Sequence, residues 1–224
     1  MKGRRRFSKE FKTRGVMTFI FKSVIMAALL MAIILLSLTA GASNEKIVFL
    51  GDSLTAEADW NALFPNGNIV NHGIGGDTTI DIYNRLGYVI KDAPKRIFIM
   101  AGINDIFMGR PIEELIQTYN KIISVLITRL PNVEIYVMSI LPVNFEFRGD
   151  FHNSYINSVI ITTNERIKQA VNKYKRDKVK FLDIHGTFTE NRTSKLNPMF
   201  TDDGVHLTPQ GYLNWKQQIK PYVY

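Results

Sequence analysis

The sequence contains no cysteine among its 224 residues. Disulfide bonds, a catalytic thiolate and a cysteine-ligated zinc site are therefore excluded. An acylated lipoprotein anchor is excluded as well, because such an anchor requires a cysteine at the cleavage point. The absence of cysteine does not by itself identify the cellular compartment.

Most of the chain also lacks an excess of charge of either sign, although the formal net charge is +8. Eight of the 28 Lys and Arg, but only one of the 20 Asp and Glu, lie within residues 1–43. Residues 44–224 therefore carry 20 basic and 19 acidic side chains, a net charge of +1. Because nucleic-acid-binding domains carry clustered positive charge, the sequence predicts no nucleic-acid partner.

Residues 1–43 have the pattern of a targeting segment. A basic stretch precedes an apolar stretch of about 15 residues, which ends at the small residues Ala40 and Ala42. This pattern predicts either a signal peptide cleaved after Ala42 or an uncleaved anchor formed by residues 23–42, which carry no charge. Basic residues stay on the cytoplasmic side, so both alternatives place the domain outside the cytoplasm, either periplasmic or secreted, or tethered to the membrane. Membrane contact is predicted only through this segment.

From residue 45 onward, short apolar runs alternate with segments of helical periodicity, which is typical of α/β proteins with parallel strands. The apolar runs predict five strands, at residues 46–50, 68–71, 96–101, 133–140 and 179–183. The helical periodicity predicts helices at residues 112–130 and 156–174 and, from weaker patterns, at 77–90 and 209–219.

These elements predict a single domain, residues 44–224, with a three-layer α/β/α sandwich around a mainly parallel five-stranded sheet. In open sheets of this kind, ligands bind beyond the carboxyl ends of the strands. Three short polar motifs follow the first three predicted strands, and a fourth precedes the last helix. They are Gly51-Asp52-Ser53-Leu54, Gly73-Ile74-Gly75-Gly76-Asp77-Thr78, Gly102-Ile103-Asn104-Asp105 and Asp203-Gly204-Val205-His206.

The residue types in these motifs are those that nucleophilic catalysis requires. A serine hydroxyl such as that of Ser53 is a weak nucleophile until a base takes its proton. Histidine is the side chain whose ordinary pKa lies nearest to neutrality, which makes His206 the candidate base. An aspartate three residues earlier, Asp203, can accept a hydrogen bond from the imidazole and stabilise its protonated form. We predict that Asp52 and Asp105 hold the turns beside Ser53 and Asn104.

With all four motifs in order, the sequence resembles the SGNH hydrolases, also called GDSL esterases and lipases, over essentially all of residues 46–222. The resemblance implies a flavodoxin-like fold, no cofactor, and a catalytic triad of Ser53, Asp203 and His206. It also implies an oxyanion hole formed by the amides of Ser53 and Gly76 and the side chain of Asn104. Gly75 departs from the family, because many members carry serine there.

Other residues have weaker assignments. We predict that the remaining histidines, His72, His152 and His185, are structural or exposed, and that His152 is the one most suited to contact substrate. Residues 141–152 form the longest irregular stretch on the catalytic side, and Phe145 and Phe147 in this stretch could wall a shallow pocket. No spacing of histidines and acids typical of a metal site is present, so no metal is expected.

The sequence thus predicts a serine esterase that hydrolyses short-chain acyl esters, such as O-acetyl esters, through an acyl-enzyme. The substrate is expected to be a small-molecule, glycan or lipid acyl ester. An O-acyltransferase acting on glycans and a lysophospholipase or lipase would use the same triad and remain alternatives. A non-catalytic binding domain is the fourth hypothesis, and it predicts a broken triad, whereas every expected residue is present.

Overall fold

The computed structural model describes residues 25–31, 45–148, 153–174, 177–191 and 193–224. The chain divides into two compact units, residues 1–43 and 44–224. In the first unit, residues 25–31 are helical, and the rest of the predicted signal peptide or anchor lies outside the described residues. No helix in the described part of the chain combines the length and apolar character needed to span a bilayer.

The second unit is built on five parallel strands, whose order across the sheet is β2-β1-β3-β4-β5. The strands are β1 (Lys46–Gly51), β2 (Asn68–Gly73), β3 (Arg96–Met100), β4 (Glu134–Met138) and β5 (Val179–Leu182). The predicted five-stranded parallel sheet is therefore confirmed. β4 is shorter at both ends than the predicted 133–140, although the flanking residues remain buried.

Helices cover both faces of the sheet. They are α1 (Ser53–Ala56), α2 (Trp60–Leu63), α3 (Thr79–Asn84), α4 (Leu86–Lys91), α5 (Ile103–Phe107), α6 (Ile112–Arg129), α7 (Asn153–Asn172) and α8 (Pro209–Val223). Short 3-10 turns occur at Phe145–Arg148, His185–Phe188 and Pro198–Phe200. The structure has two helices where the sequence predicted one at residues 77–90. Arg85 follows the last residue of α3 and precedes the first residue of α4.

Each face of the sheet buries its own apolar cluster, which confirms the three-layer sandwich. Val48, Ile97 and Ile99 pack with α6 and α7 on one face. Phe49 and Phe98 pack on the other face with aromatic residues of α2 and α8, including Trp215. Burial of apolar surface is the main favourable term in folding. The inner strands β1, β3 and β4 are buried on both faces, which explains why their sequences are nearly continuous apolar runs.

Capping residues fix where the helices α3, α6 and α8 begin. Thr78 and Asp81 form a capping box at the start of α3, and Thr208 caps α8, with Pro209 at its first position. Pro111 is the N-cap residue of α6 and directly precedes Ile112, the first residue of that helix. The order β2-β1-β3 means that the chain leaves β1 in one direction and β3 in the other, and this switch point is where open α/β sheets bind ligands.

Candidate active site

Ser53 lies directly beyond the carboxyl end of β1. It is the first residue of α1. The reason is Asp52, which acts as the N-cap: its carboxylate accepts a hydrogen bond from the Leu54 amide at 3.1 Å. Ser53 is only partly buried.

A continuous chain of hydrogen bonds joins Ser53, His206 and Asp203. The Oγ of Ser53 lies 3.0 Å from Nε2 of His206, and Nδ1 of the same ring lies 2.7 Å from Oδ2 of Asp203. The other carboxylate oxygen, Oδ1, accepts hydrogen bonds from the amides of Val205 and His206, both at 2.8 Å. The Asp203 carboxylate therefore binds both the backbone of its own loop and the imidazole ring of His206, three residues later.

The charge of Asp203 fixes the direction of these hydrogen bonds. Burial raises the pKa of the Asp203 carboxyl. The hydrogen bonds from the His206 ring and from the amides of Val205 and His206 outweigh that effect and lower the pKa to about 2. An ionised carboxylate only accepts, so Nδ1 of His206 donates to it. Nε2 is then left to accept the proton of the Ser53 hydroxyl.

The motif after β2 lies against Ser53. A Cβ on Gly75 would be 3.9 Å from the Cβ of Ser53, which is ordinary van der Waals contact, so the serine that many family members carry here would fit. Gly76 has φ +82°, a conformation that favours glycine, and a Cβ there would meet nothing within 4 Å. The need for glycine at position 76 is therefore conformational.

Asn104, in α5 after β3, contacts the same loop. Its Nδ2 donates to the Asp77 carbonyl oxygen at 2.9 Å, which leaves the second N–H of the amide group for another acceptor. The Ser53 amide, at the first position of a helix, has no intrahelical partner. Among the described residues, the Gly76 amide donates no hydrogen bond. The three predicted oxyanion donors thus lie beyond the carboxyl ends of three adjacent strands, β2, β1 and β3.

Two buried aspartates support these loops. Burial raises the pKa of Asp52 to about 7, against the opposing effect of the hydrogen bond from Leu54. Burial also raises the pKa of Asp105, whose carboxylate accepts from the backbone amide and the hydroxyl of Thr79, both at 2.8 Å. Asp105 therefore joins the start of α3 to α5, a longer-range role than the local turn that the sequence predicted.

The predicted substrate-binding residues are only partly described. Phe145 follows Asn144, whose amide donates to the Gly204 carbonyl at 2.7 Å, so it lies beside the His206 loop. Phe147 belongs to the 3-10 turn, but its side chain lies outside the described residues, as does all of His152.

The sequence analysis missed two side chains near the site. Phe107, one turn after Asn104 in α5, packs on Phe145 with ring centroids 5.7 Å apart. Glu57, four residues after Ser53, places Oε1 3.8 Å from Nε2 of His206. Their spacing from the motif residues, one helical turn in each case, is the signal that could have identified them.

The other described histidines have partners elsewhere. His72 pairs with Asp92, at 2.6 Å between Nε2 and Oδ2, and Nδ1 of His185 lies 2.9 Å from the Ile140 carbonyl oxygen. Within the described ranges, no cluster of three or more His, Asp or Glu could hold a metal ion.

A serine, a histidine and an aspartate joined by hydrogen bonds beyond the carboxyl ends of a parallel sheet form the arrangement of a serine hydrolase. The family model of the GDSL-like lipase/acylhydrolase family matches residues 37–213. The chain belongs to this family, and it is an ester hydrolase.

Relatives and solved structures agree with this assignment. Platelet-activating factor acetylhydrolase IB subunit alpha2 of Rattus norvegicus is 31% identical over 176 residues, covering 75% of this chain and 72% of the relative. A GDSL-like lipase of Bacteroides thetaiotaomicron is similar in structure, with a TM-score of 0.68 and 23% identity over 80% of this chain and 87% of that one. A catalytic mutant of an acetylxylan esterase from Geobacillus stearothermophilus has a TM-score of 0.64, with 21% identity over 81% and 94%. The two structures support the fold.

Proposed function

We propose that the protein hydrolyses short-chain carboxylic esters, O-acetyl esters among them, through an acyl-enzyme on Ser53. The observation that carries the proposal is the hydrogen-bonded chain from Ser53 through His206 to Asp203. The rat relative is an acetylhydrolase by name, which supports an acetyl ester as substrate.

In the first half of the reaction, Nε2 of His206 takes the Ser53 proton while Oγ attacks the ester carbonyl carbon. Asp203 stabilises the imidazolium that forms. The tetrahedral oxyanion is stabilised by the amides of Ser53 and Gly76 and by the Asn104 side chain. When the intermediate collapses, the imidazolium gives its proton to the alkoxide leaving group, and the acyl group stays on Ser53.

In the second half, His206 takes a proton from water, whose oxygen attacks the acyl carbon. Collapse of the second tetrahedral intermediate releases the carboxylic acid and returns the proton to Oγ of Ser53. The reaction consumes one water and requires no cofactor.

The first test is loss of turnover in folded variants. Ser53→Ala and His206→Ala should each lower kcat by several orders of magnitude, because the residues act as a unit. Asp203→Asn should lower kcat by about 10³–10⁴, since the amide favours the wrong imidazole tautomer. Asp202→Asn, one position away and outside the hydrogen-bonded chain, is the matched control. Near-normal turnover by folded Ser53→Ala protein would refute the assignment.

The second test concerns substrate. We propose that kcat/KM on p-nitrophenyl esters is highest for acetate or butyrate and does not rise for longer chains up to palmitate. Analysis of the products in the presence of a sugar acceptor separates hydrolysis from acyl transfer. A steady rise beyond octanoate would favour a lipase or lysophospholipase, and acyl-sugar as the main product would favour a transferase.

We further propose that the domain works outside the cytoplasm. The basic and then apolar order of residues 1–43 supports this. The full chain, expressed in a bacterium, should be recovered outside the cytoplasm, and mass spectrometry should find either a start at Ser43 or an intact leader in the membrane fraction. Full-length protein in the soluble cytoplasmic fraction would refute the proposal.

A further inference from the structure

Arg85 is a cation enclosed behind the loop that carries Gly76. It lies between α3 and α4, with φ −106° and ψ 12°, and its side chain is only 12% exposed. Its Nε donates to Oδ2 of Asp77 at 2.6 Å, and its Nη2 donates to the Gly51 carbonyl oxygen at 3.0 Å. The break between the two helices thus allows Arg85 to contact two of the motifs at once.

Both acceptors are directly linked to proposed catalytic groups. Gly51 ends β1, two residues before Ser53, and its carbonyl also accepts from the Ile74 amide at 3.1 Å. Asp77 follows Gly76, and its own carbonyl accepts the Asn104 amide group at 2.9 Å. One guanidinium therefore contacts the end of β1 and the loop after β2 directly, and Asp77 in turn links it to Asn104 in α5.

The chemistry of arginine suits this task. The guanidinium is planar and always charged, and it presents its donors in a fixed fork, so two hydrogen bonds from one group fix both the distance and the angle between their acceptors. The partner carboxylate of Asp77 is only 13% exposed, so without Arg85 it would be left poorly solvated and unpaired. A lysine at this position could keep the charge but not both hydrogen-bond directions.

We propose that Arg85 is the positioning residue of the oxyanion hole. Through its hydrogen bonds to Asp77 and Gly51, it fixes the positions of the Gly76 amide and the Asn104 side chain relative to Ser53. It does not itself contact substrate. This inference rests on the proposed acyl-enzyme function, because it assigns Arg85 a part in stabilising the oxyanion of that reaction.

The test compares Arg85→Gln, Arg85→Lys and the control Arg166→Gln on a p-nitrophenyl acetate assay. Arg166 also pairs with a carboxylate, that of Glu113, but on the exposed surface. Because a displacement of about 1 Å at a catalytic group can cost 10²-fold, we expect Arg85→Gln to lower kcat by about 10–100-fold, with KM within about threefold of the unmodified protein. Arg85→Lys should recover part of kcat, and Arg166→Gln should change neither constant.

A double-mutant cycle with Asn104→Ala separates positioning from general loss of structure. If Arg85 acts through the oxyanion hole, Arg85→Gln combined with Asn104→Ala should lose much less kcat than the product of the two single losses. The double variant Asp77→Asn/Arg85→Gln leaves neither member of this pair as an unpaired charge. It tests the inference if Arg85→Gln alone unfolds, and it should show the same fall in kcat. Independent, multiplicative losses, or full kcat in a folded variant, would overturn the inference.

Labelling with a fluorophosphonate distinguishes failure of this inference from failure of the proposed function. The unmodified protein should be labelled on Ser53. No labelling at Ser53 would refute the acyl-enzyme proposal itself. Labelling that is normal in the unmodified protein, together with an unchanged kcat in Arg85→Gln, would refute only the role of Arg85.

Discussion

The carbonyl oxygen of Asn144 occupies the space into which a side chain on residue 204 would project. A Cβ on Gly204 would lie 1.9 Å from that oxygen, and Gly204 has φ +89°. The Asn144 amide also donates to the Gly204 carbonyl at 2.7 Å. The loop that carries Asp203 and His206 is thus closely packed on the chain that follows β4, and it has no room for a side chain at this point.

Gly204→Ala should therefore damage both stability and activity. The left-handed backbone costs about 1–2 kcal/mol for a residue with a Cβ, and the overlap with Asn144 adds roughly 1–3 kcal/mol. We expect a loss of about 2–5 kcal/mol in the free energy of unfolding, measured by urea titration, and a fall in kcat as His206 moves. The control is Gly87→Ala, in α4 with open space around it, which should be neutral or stabilise by up to about 1 kcal/mol. Unchanged stability and kcat in Gly204→Ala would contradict the packing argument.

Helix α7 also holds the segment that follows β4, through two buried asparagines. Asn157 is fully buried, and its side chain accepts from the Val143 amide and donates to the Val143 carbonyl, both at 2.9 Å. Asn164, two turns later, makes the same pair of hydrogen bonds to Ile140. These two polar residues on the apolar face of α7 therefore supply hydrogen-bond partners to the backbone of the segment after β4.

Asn157→Ala should lower the free energy of unfolding by about 1–3 kcal/mol, because it leaves the buried Val143 N–H without a partner, whereas the Val143 carbonyl keeps the hydrogen bond from the Leu196 amide at 3.3 Å. Asn172→Ala, on the exposed surface of the same helix, should change it by less than about 0.5 kcal/mol. Thermal and urea unfolding of both variants measure the difference. Equal effects of the two substitutions would show that the Val143 backbone finds other partners.

The sequence predicted the parallel sheet and both long helices because their patterns are local: short apolar runs for β1 to β5 and helical periodicity for α6 and α7. It also predicted the motifs that the switch point brings together, since each directly follows a strand or precedes a helix. The short helices α1 and α5 were not predicted. They are four and five residues long, too short for periodicity to appear.

The contacts that position the site could not be predicted from the sequence, for a different reason. Arg85 binds Asp77 across eight positions and Gly51 across 34, and Asn157 binds Val143 across 14. Such pairings depend on tertiary packing, and the side chains involved are common surface residue types. Only the three-dimensional structure shows that they are buried and what they bind.

Asp52 makes stability depend on pH near neutrality. Burial raises its pKa to about 7 from an ordinary value of 3.8, so the folded protein binds a proton that the unfolded chain has released between these two values. Stability contributed by the neutral carboxyl is therefore fully present below about pH 3.8, falls as the pH rises to about 7, and is then constant. The total loss is at most about 4 kcal/mol, which is three pKa units.

Asp52→Asn should remove this slope and be more stable than the unmodified protein at pH 8, because an amide oxygen can still accept from the Leu54 amide. Urea titrations from pH 4 to pH 8 measure the effect. Asp59→Asn, which replaces an exposed N-cap at the start of α2, is the control and should keep the slope. Parallel pH profiles for Asp52→Asn and the unmodified protein would show that Asp52 is not the titrating group.

Phe107 gives the last prediction, on acyl-chain length. It is 41% exposed, lies one turn after Asn104 and packs on Phe145 beside the His206 loop, so the two rings stand next to the groups that would hold the reacting ester. We expect a ring in this place to limit how far an acyl chain can extend along apolar surface. Each methylene that gains a buried position adds about 0.8 kcal/mol, or roughly fourfold in binding.

Phe107→Ala should therefore relax the preference for short chains. We expect the ratio of kcat/KM for p-nitrophenyl octanoate to that for the acetate to rise by about tenfold, the equivalent of between one and two methylenes newly buried. Tyr88→Ala, an exposed aromatic on α4, should leave the ratio unchanged. If the ratio is the same in all three proteins, Phe107 only supports Phe145, and the acyl chain must lie along a different wall of the site.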